Sequence, residues 1–254
     1  MDDVKMVSVN DALKAGESRV MLPGEIPGAT VYLHALGAGE RKTFAALADR
    51  AVILMSVDGA YCFSSGGKTI AAEGRYVFVP GCGRDADVQA QTATRMLEIQ
   101  WEIPADGRAA WATPEREFPY VQEYFAAVQY RDPNKSDKTI SRELVRQRVV
   151  PGFCMGSVES YGYDKVAQHP HPMLDQFFFS FPENDVDVLI DDFKVPMQGD
   201  TLLHIPLGSN HGVEVHGDKH MHYIWIDFFL GQAGLERLDR SHKPTGTMRS
   251  FKQE

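Results

Sequence analysis

Cysteine is scarce in this chain of 254 residues: Cys62, Cys82 and Cys154 are the only three, with no C-x-x-C pair. An odd number at wide spacing excludes a disulfide framework and fits buried, reduced thiols in the cytoplasm. No apolar run approaches the roughly 18 residues of a membrane helix. The opening stretch MDDVKMVSVNDALKAG lacks the apolar core of a secretory signal. Clusters of lysine and arginine are missing too, and the net charge is −9. That balance argues against nucleic acid and anionic membrane surfaces as partners. A cytoplasmic protein that binds a small molecule is the expectation. The first half is also almost without histidine. Of nine histidines, seven fall between His169 and His222, and only His34 lies in the first half.

Hydrophobic residues make up 43% of the chain, enough for a sizeable core. They fall in short runs separated by Gly, Pro, Asn and Asp. Strands are expected at 29–36, 51–57, 60–64, 76–79 and 95–101. A second set is expected at 142–149, 156–161, 176–181, 186–190, 201–205, 212–215 and 221–229. Many short strands with frequent turn signals indicate an all-β sandwich or barrel. A faint repeat supports two similar halves. Gly74 opens an apolar strand that Pro80 closes, and Gly199 opens another that ends at Pro206 and Gly208. The expected organisation is an N-terminal half over 1–105, a linker over 106–140, a C-terminal half over 141–230 and a loosely held polar tail over 231–254. Helical spacing of apolar residues predicts a short helix at 120–130, and one or two helical turns are expected at 235–240.

The densest chemistry lies at Gln168-His169-Pro170-His171-Pro172-Met173-Leu174-Asp175-Gln176. Residues i and i+2 of a strand point to one face, so H-x-H aims two imidazoles into one volume. His211 follows a Gly/Pro turn about 40 residues later. Imidazole is the commonest protein ligand for Zn, Fe, Mn and Ni. Three imidazoles and one oxygen ligand leave a metal position open to water or substrate. The bland alternative is a pair of surface histidines beside two prolines. It does not account for the joint spacing of H-x-H, the following acid or amide, and G-x6-P-x-G-x2-H.

That spacing resembles the two motifs of the cupin family, in which a glycine precedes H-x-H and Glu, and a second glycine precedes P-x-G-x-x-H. His169, His171 and His211 match the three histidine positions. The resemblance spans about residues 156–230, with the first half matching only as a degenerate cupin. It implies two jelly-roll (double-stranded β-helix) halves in one chain. The family's Glu falls on Gln176 with a four-residue gap and on Asp175 with a three-residue gap. Gln176 is favoured, because 177–181 then continues as a buried strand. That strand and the stretch 223–228 are similar to the 5-keto-4-deoxyuronate isomerase and 5-deoxyglucuronate isomerase group. A neutral amide is a poorer ligand than a carboxylate. Asp175 binds instead, or Gln176 binds weakly, or the metal has been lost.

Strand alternation supplies further candidates. Glu159, Tyr223 and Asp227 are candidate acid/base groups. Lys165, Arg142, Arg146 or Arg148 could hold a substrate carboxylate. His204 reads equally as a core histidine, and His216, His220 and His222 as residues about a turn. What the resemblance implies is a metal-dependent isomerase of a sugar acid or keto-sugar, in carbohydrate metabolism. Zn is the first expectation for the divalent ion, with Fe, Mn or Ni as alternatives. A non-catalytic cupin that binds a sugar or organic acid is the competing reading, and an iron-dependent dioxygenase is a third. A homodimer would cover exposed strand edges.

Overall fold

The computed structural model describes residues 4–9, 13–114, 117–231, 234, 236, 238, 240 and 242–251. Its regular secondary structure is almost entirely strand. All twelve strands expected from the sequence are present, most extended by one to three residues. The chain forms two compact units.

The first unit, Asp11–Tyr124 with Arg148–Pro151, holds two antiparallel sheets of six and four strands. Its small sheet alternates buried and half-buried positions, as Ala60–Ser65 and Ala86–Ala90 show. That pattern belongs to a sheet with one face on a core. Arg50–Asp58, in the larger sheet, is buried at seven consecutive positions. Phe63 stacks on Phe78 at 4.1 Å in the core. The lone histidine of this half, His34, donates from Nε2 to Glu98 at 2.8 Å, while its Nδ1 meets the Ser18 hydroxyl at 2.7 Å.

The second unit comprises Met1–Asn10, Phe125–Gln147 and Gly152–Glu254. An eight-stranded sheet and a four-stranded sheet enclose one core that includes Val158, Phe178, Val188, Tyr223 and Trp225. The four-stranded sheet again alternates, with Val186, Val188 and Ile190 inward.

Three expectations need correction. The 120–130 segment is two strands rather than a helix. Tyr120–Glu123 pairs with Tyr76–Val79, and Val128–Arg131 pairs with residues 141–143. Its aromatic and valine residues suit either state, and edges of two sheets were there to receive them. The linker helix is instead the short turn Arg108–Ala112. Second, Met6–Ser8 pairs with Thr201–Leu203 in the second unit rather than joining the N-terminal half. Third, the tail is tied down. Lys243–Pro244 pairs with Tyr130–Arg131, and Gln129 exchanges two hydrogen bonds with the Arg249 backbone. Of 235–240 only positions 236, 238 and 240 are described, and they are helical.

Candidate metal centre

His211 lies on Asn210–Val215, directly after the turn Pro206–Ser209. Gly208 takes φ +79° there, a conformation that favours glycine. The Ser209 amide and hydroxyl both donate to the Pro206 carbonyl, at 3.1 and 2.8 Å. His169 sits across the ladder from His211, on Asp164–Pro170. The register shifts between Val166 and His169, so a bulge brings the two histidines opposite each other. Gly212 permits that bulge, since a Cβ there would lie 2.6 Å from the Val166 carbonyl oxygen. His171 falls just beyond the strand end, yet its ring meets His169 at 4.7 Å and His211 at 5.2 Å.

One ligand atom from each of the three histidines lies within 4.8 Å of the others. His169 Nδ1 is 2.7 Å from the Ala167 carbonyl, and His211 Nδ1 is 3.3 Å from the Ser209 carbonyl. A carbonyl can only accept, so each Nδ1 carries the hydrogen and each Nε2 keeps its lone pair. Burial, helped by neighbouring His169, pushes His211 down to about 4 and keeps it neutral. Neutral imidazole is the metal-binding form.

Alternation on Leu174–Ser180 settles which neighbour of H-x-H turns inward. Leu174 and Phe178 belong to the core, and Gln176 shares their face. Gln176 lines the cavity with the three histidines, while Asp175 does not. Burial raises the Asp175 carboxyl, and the nearest opposing influence on it is His204. Gln176 pairs across the sheet with Asp227 and donates from Nε2 to its Oδ1 at 2.6 Å. That bond fixes the amide, leaving Oε1 buried and without a hydrogen-bond partner among the described residues. A buried unpaired carbonyl oxygen costs about 1–3 kcal/mol. A cation would satisfy it. The donor set of three imidazole nitrogens and one amide oxygen therefore fits a divalent ion.

Asp227 and Tyr223 also line this cavity. Burial pushes the Asp227 carboxyl up to about 7, against the hydrogen bond from Gln176. Burial likewise raises Tyr223, whose phenol stays protonated. Glu159, the third acid/base candidate, is not a lining residue. It faces the other side of its strand and pairs with Arg142 at 2.7 Å. Arg142 is itself fully buried there, and Lys165 is exposed, so neither serves the cavity.

Sequence reasoning missed Lys135, Asp132, Tyr130 and His242, which also line the cavity. Lys135 Nζ lies 3.2 Å from Asp132 and 3.1 Å from the Tyr130 hydroxyl. His242 stacks on Tyr130 at 3.9 Å. The signal for Lys135 was the Asp-Pro-Asn turn before it, where the Asn134 amide donates to Asp132 at 2.8 Å. The cavity encloses about 40 Å³, room for about three waters.

No protein-family model matches the chain, and no curated protein matches it. Solved structures do. A cupin 2 conserved barrel domain protein from Leptotrichia buccalis aligns with a TM-score of 0.58 at 15% identity, covering 89% of this chain and 96% of that one. The fold is that of a bicupin. An IolB-like protein from Salmonella typhimurium aligns at TM-score 0.67 and 12% identity, covering 89% of this chain and 93% of its own. Oxalate decarboxylase of Bacillus subtilis, described with Mn(II) centres, aligns at TM-score 0.65 and 13% identity, with 89% and 79% coverage. At such identities the likeness is one of fold. Within the bicupin, both histidine-containing clusters of metal-ligand type among the described residues lie in the C-terminal barrel. No helix among the described residues is long and apolar enough to cross a membrane.

Proposed function

We propose that this bicupin is a metal-dependent enzyme that isomerises a sugar acid or keto-sugar in its C-terminal barrel. The observation that carries the reading is the buried Gln176 Oε1, left unpaired in a cavity shared with three histidines, Asp227 and Lys135. A divalent ion held by His169, His171, His211 and Gln176 would polarise adjacent carbonyl and hydroxyl oxygens of the substrate. Lys135 is the cation available to a substrate carboxylate. Asp227 commits Oδ1 to Gln176, so Oδ2 is the atom to carry a proton between neighbouring carbons. The Tyr223 hydroxyl remains a donor for a substrate oxygen. Zn is the first metal to test, and likeness to a protein with Mn(II) centres makes Mn the second.

The neutral donor set favours one second reading, a binding protein that holds an organic acid without turnover. An ion among four neutral ligands keeps its full positive charge for an anion. One experiment separates the two. Elemental analysis of the purified protein is followed by turnover assays of metal-loaded protein on uronates and ketoses, with dioxygen uptake in parallel. Bound metal and aldose–ketose interconversion, both lost in the His169→Ala/His171→Ala double variant, are expected. Tight binding of an acid without conversion supports the second reading, and dioxygen uptake would move the chemistry to an oxygenase. A protein that takes up no metal and converts none of the substrates overturns the proposal.

A further inference from the structure

A second cluster of metal-ligand type lies on the eight-stranded sheet, on the face turned away from the cavity. Glu159, His220 and His222 each offer a ligand atom within 4.8 Å of the others. The strand His220–Phe229 alternates, so Tyr223 and Trp225 enter the core while His220 and His222 point the other way. None of the three residues lines the cavity of the first site.

The ladder builds this cluster. Glu159 stands directly across from His222, and His220 is two residues away on the same face. The two oxygens of Glu159 have different partners. Oε2 meets Arg142 Nη1 at 2.7 Å, while Oε1 stands 3.6 Å from His220 Nε2. That is too long for a hydrogen bond, and His220 Nε2 is buried without a hydrogen-bond partner among the described residues. Nitrogen and oxygen ligands at about 2.0–2.1 Å from a tetrahedral ion stand roughly 3.3–3.5 Å apart. The observed spacing is therefore close to that of two ligands on one ion.

His222 carries the accompanying signature. Its Nδ1 is 2.5 Å from the Glu183 carboxylate, which can only accept. Nδ1 therefore bears the hydrogen, and Nε2 is the lone-pair nitrogen. A carboxylate that orients a histidine in this way is the usual outer partner of a metal ligand. The Asn184 side chain accepts from the His222 amide at 2.7 Å, which holds the backbone in place. His220 is 15% exposed at its side chain and lies edge-on to exposed Tyr161, so an ion can reach the cluster from solvent. Glu159 is shared between Arg142 and His220, and the His220 nitrogen stands at ion-pair rather than hydrogen-bond distance from it. Two imidazoles and one carboxylate with a water in the fourth position suit the Zn(II) class of cations.

We propose that Glu159, His220 and His222 form a second divalent-cation site, structural in role, which clips the strand His220–Phe229 to Phe153–Tyr161. The test is a zinc titration of the full chain by calorimetry, with elemental analysis after desalting. The His169→Ala/His171→Ala background should keep one equivalent of Zn, and Co(II) bound there should show visible d–d absorption. His220→Ala/His222→Ala added to that background should remove it. Glu183→Gln should weaken the same equivalent roughly 10–100-fold. His220→Gln, at a partly exposed position, serves if the double substitution does not fold, and should also lose the equivalent. Zinc retained after loss of His220 and His222, or no zinc in the folded His169→Ala/His171→Ala protein, overturns the proposal. A failure of the cavity site alone looks different, because wild type would then bind a single equivalent that depends on His220.

Discussion

The Gln176 amide nitrogen donates to the Asp227 carboxylate at 2.6 Å, across neighbouring strands of the eight-stranded sheet. This bond decides which end of the amide is left for the histidine cluster. Asp227→Ala releases the amide to rotate. The expected result is a roughly 10–100-fold loss of metal affinity with the histidines intact, measured by competition against a chromophoric chelator. Unchanged affinity would show that the amide oxygen is not a ligand.

Neighbouring positions should respond in opposite ways. Asp175→Asn alters a side chain that does not line the cavity, so metal stoichiometry and affinity should stay as in wild type. Gln176→Glu places a second carboxylate against Asp227. Tighter metal binding by at least about tenfold is expected, together with a lower melting temperature for the metal-free protein. Loss of metal in Asp175→Asn would reverse the assignment of the oxygen ligand.

Gly156 is set by packing. A Cβ at this position would lie 2.2 Å from the Trp225 ring and 2.3 Å from the Arg142 carbonyl oxygen. Neither neighbour is a flexible chain end. Gly156→Ala should cost about 1–3 kcal/mol, read as a lower urea midpoint. Trp225 lines the cavity of the proposed metal site, so metal affinity should fall in the same variant.

The N-terminal barrel offers a test by pH. Burial alone would raise the Glu98 carboxyl, but hydrogen bonds from His34 and Gln100 outweigh it and hold the group below its ordinary 4.5. The unfolded chain then binds the proton more readily than the folded one. Glu98 therefore contributes stability at neutral pH, and that contribution declines as pH falls below about 4.5 and through the folded value. Glu98→Gln should be less stable at pH 7, and its urea midpoint should fall less steeply than wild type between pH 5 and 3. Parallel curves for the two proteins would exclude this role.

Much of the site was legible in the sequence because its signals are local. His169, His171 and His211 were marked by spacing alone, and the apolar run 177–181 favoured Gln176 over Asp175 without excluding Asp175. Glu159 escaped the same logic. Its strand was identified, but alternation gives two faces and does not name the one that meets the cavity. Lys135 and His242 escaped because each lies in a stretch that reads as linker or tail. Their cavity positions come from pairings with distant strands, between Val128–Arg131, residues 141–143 and Lys243–Pro244.

The 120–130 segment shows the same limit. Its apolar spacing is compatible with a helix, and only the open edges of two sheets selected strands. By itself the sequence determined the all-β class and marked two halves and three histidines that meet in space, since turn residues, hydrophobic period and residue spacing act over a few positions. The tertiary structure decided that Gln176 rather than Asp175 lines the cavity, that Lys135 lines it too, and that Glu159 sits with His220 and His222 on the sheet's other side. Those outcomes depend on register between strands far apart in the chain, where a shift of one residue turns every side chain to the opposite face.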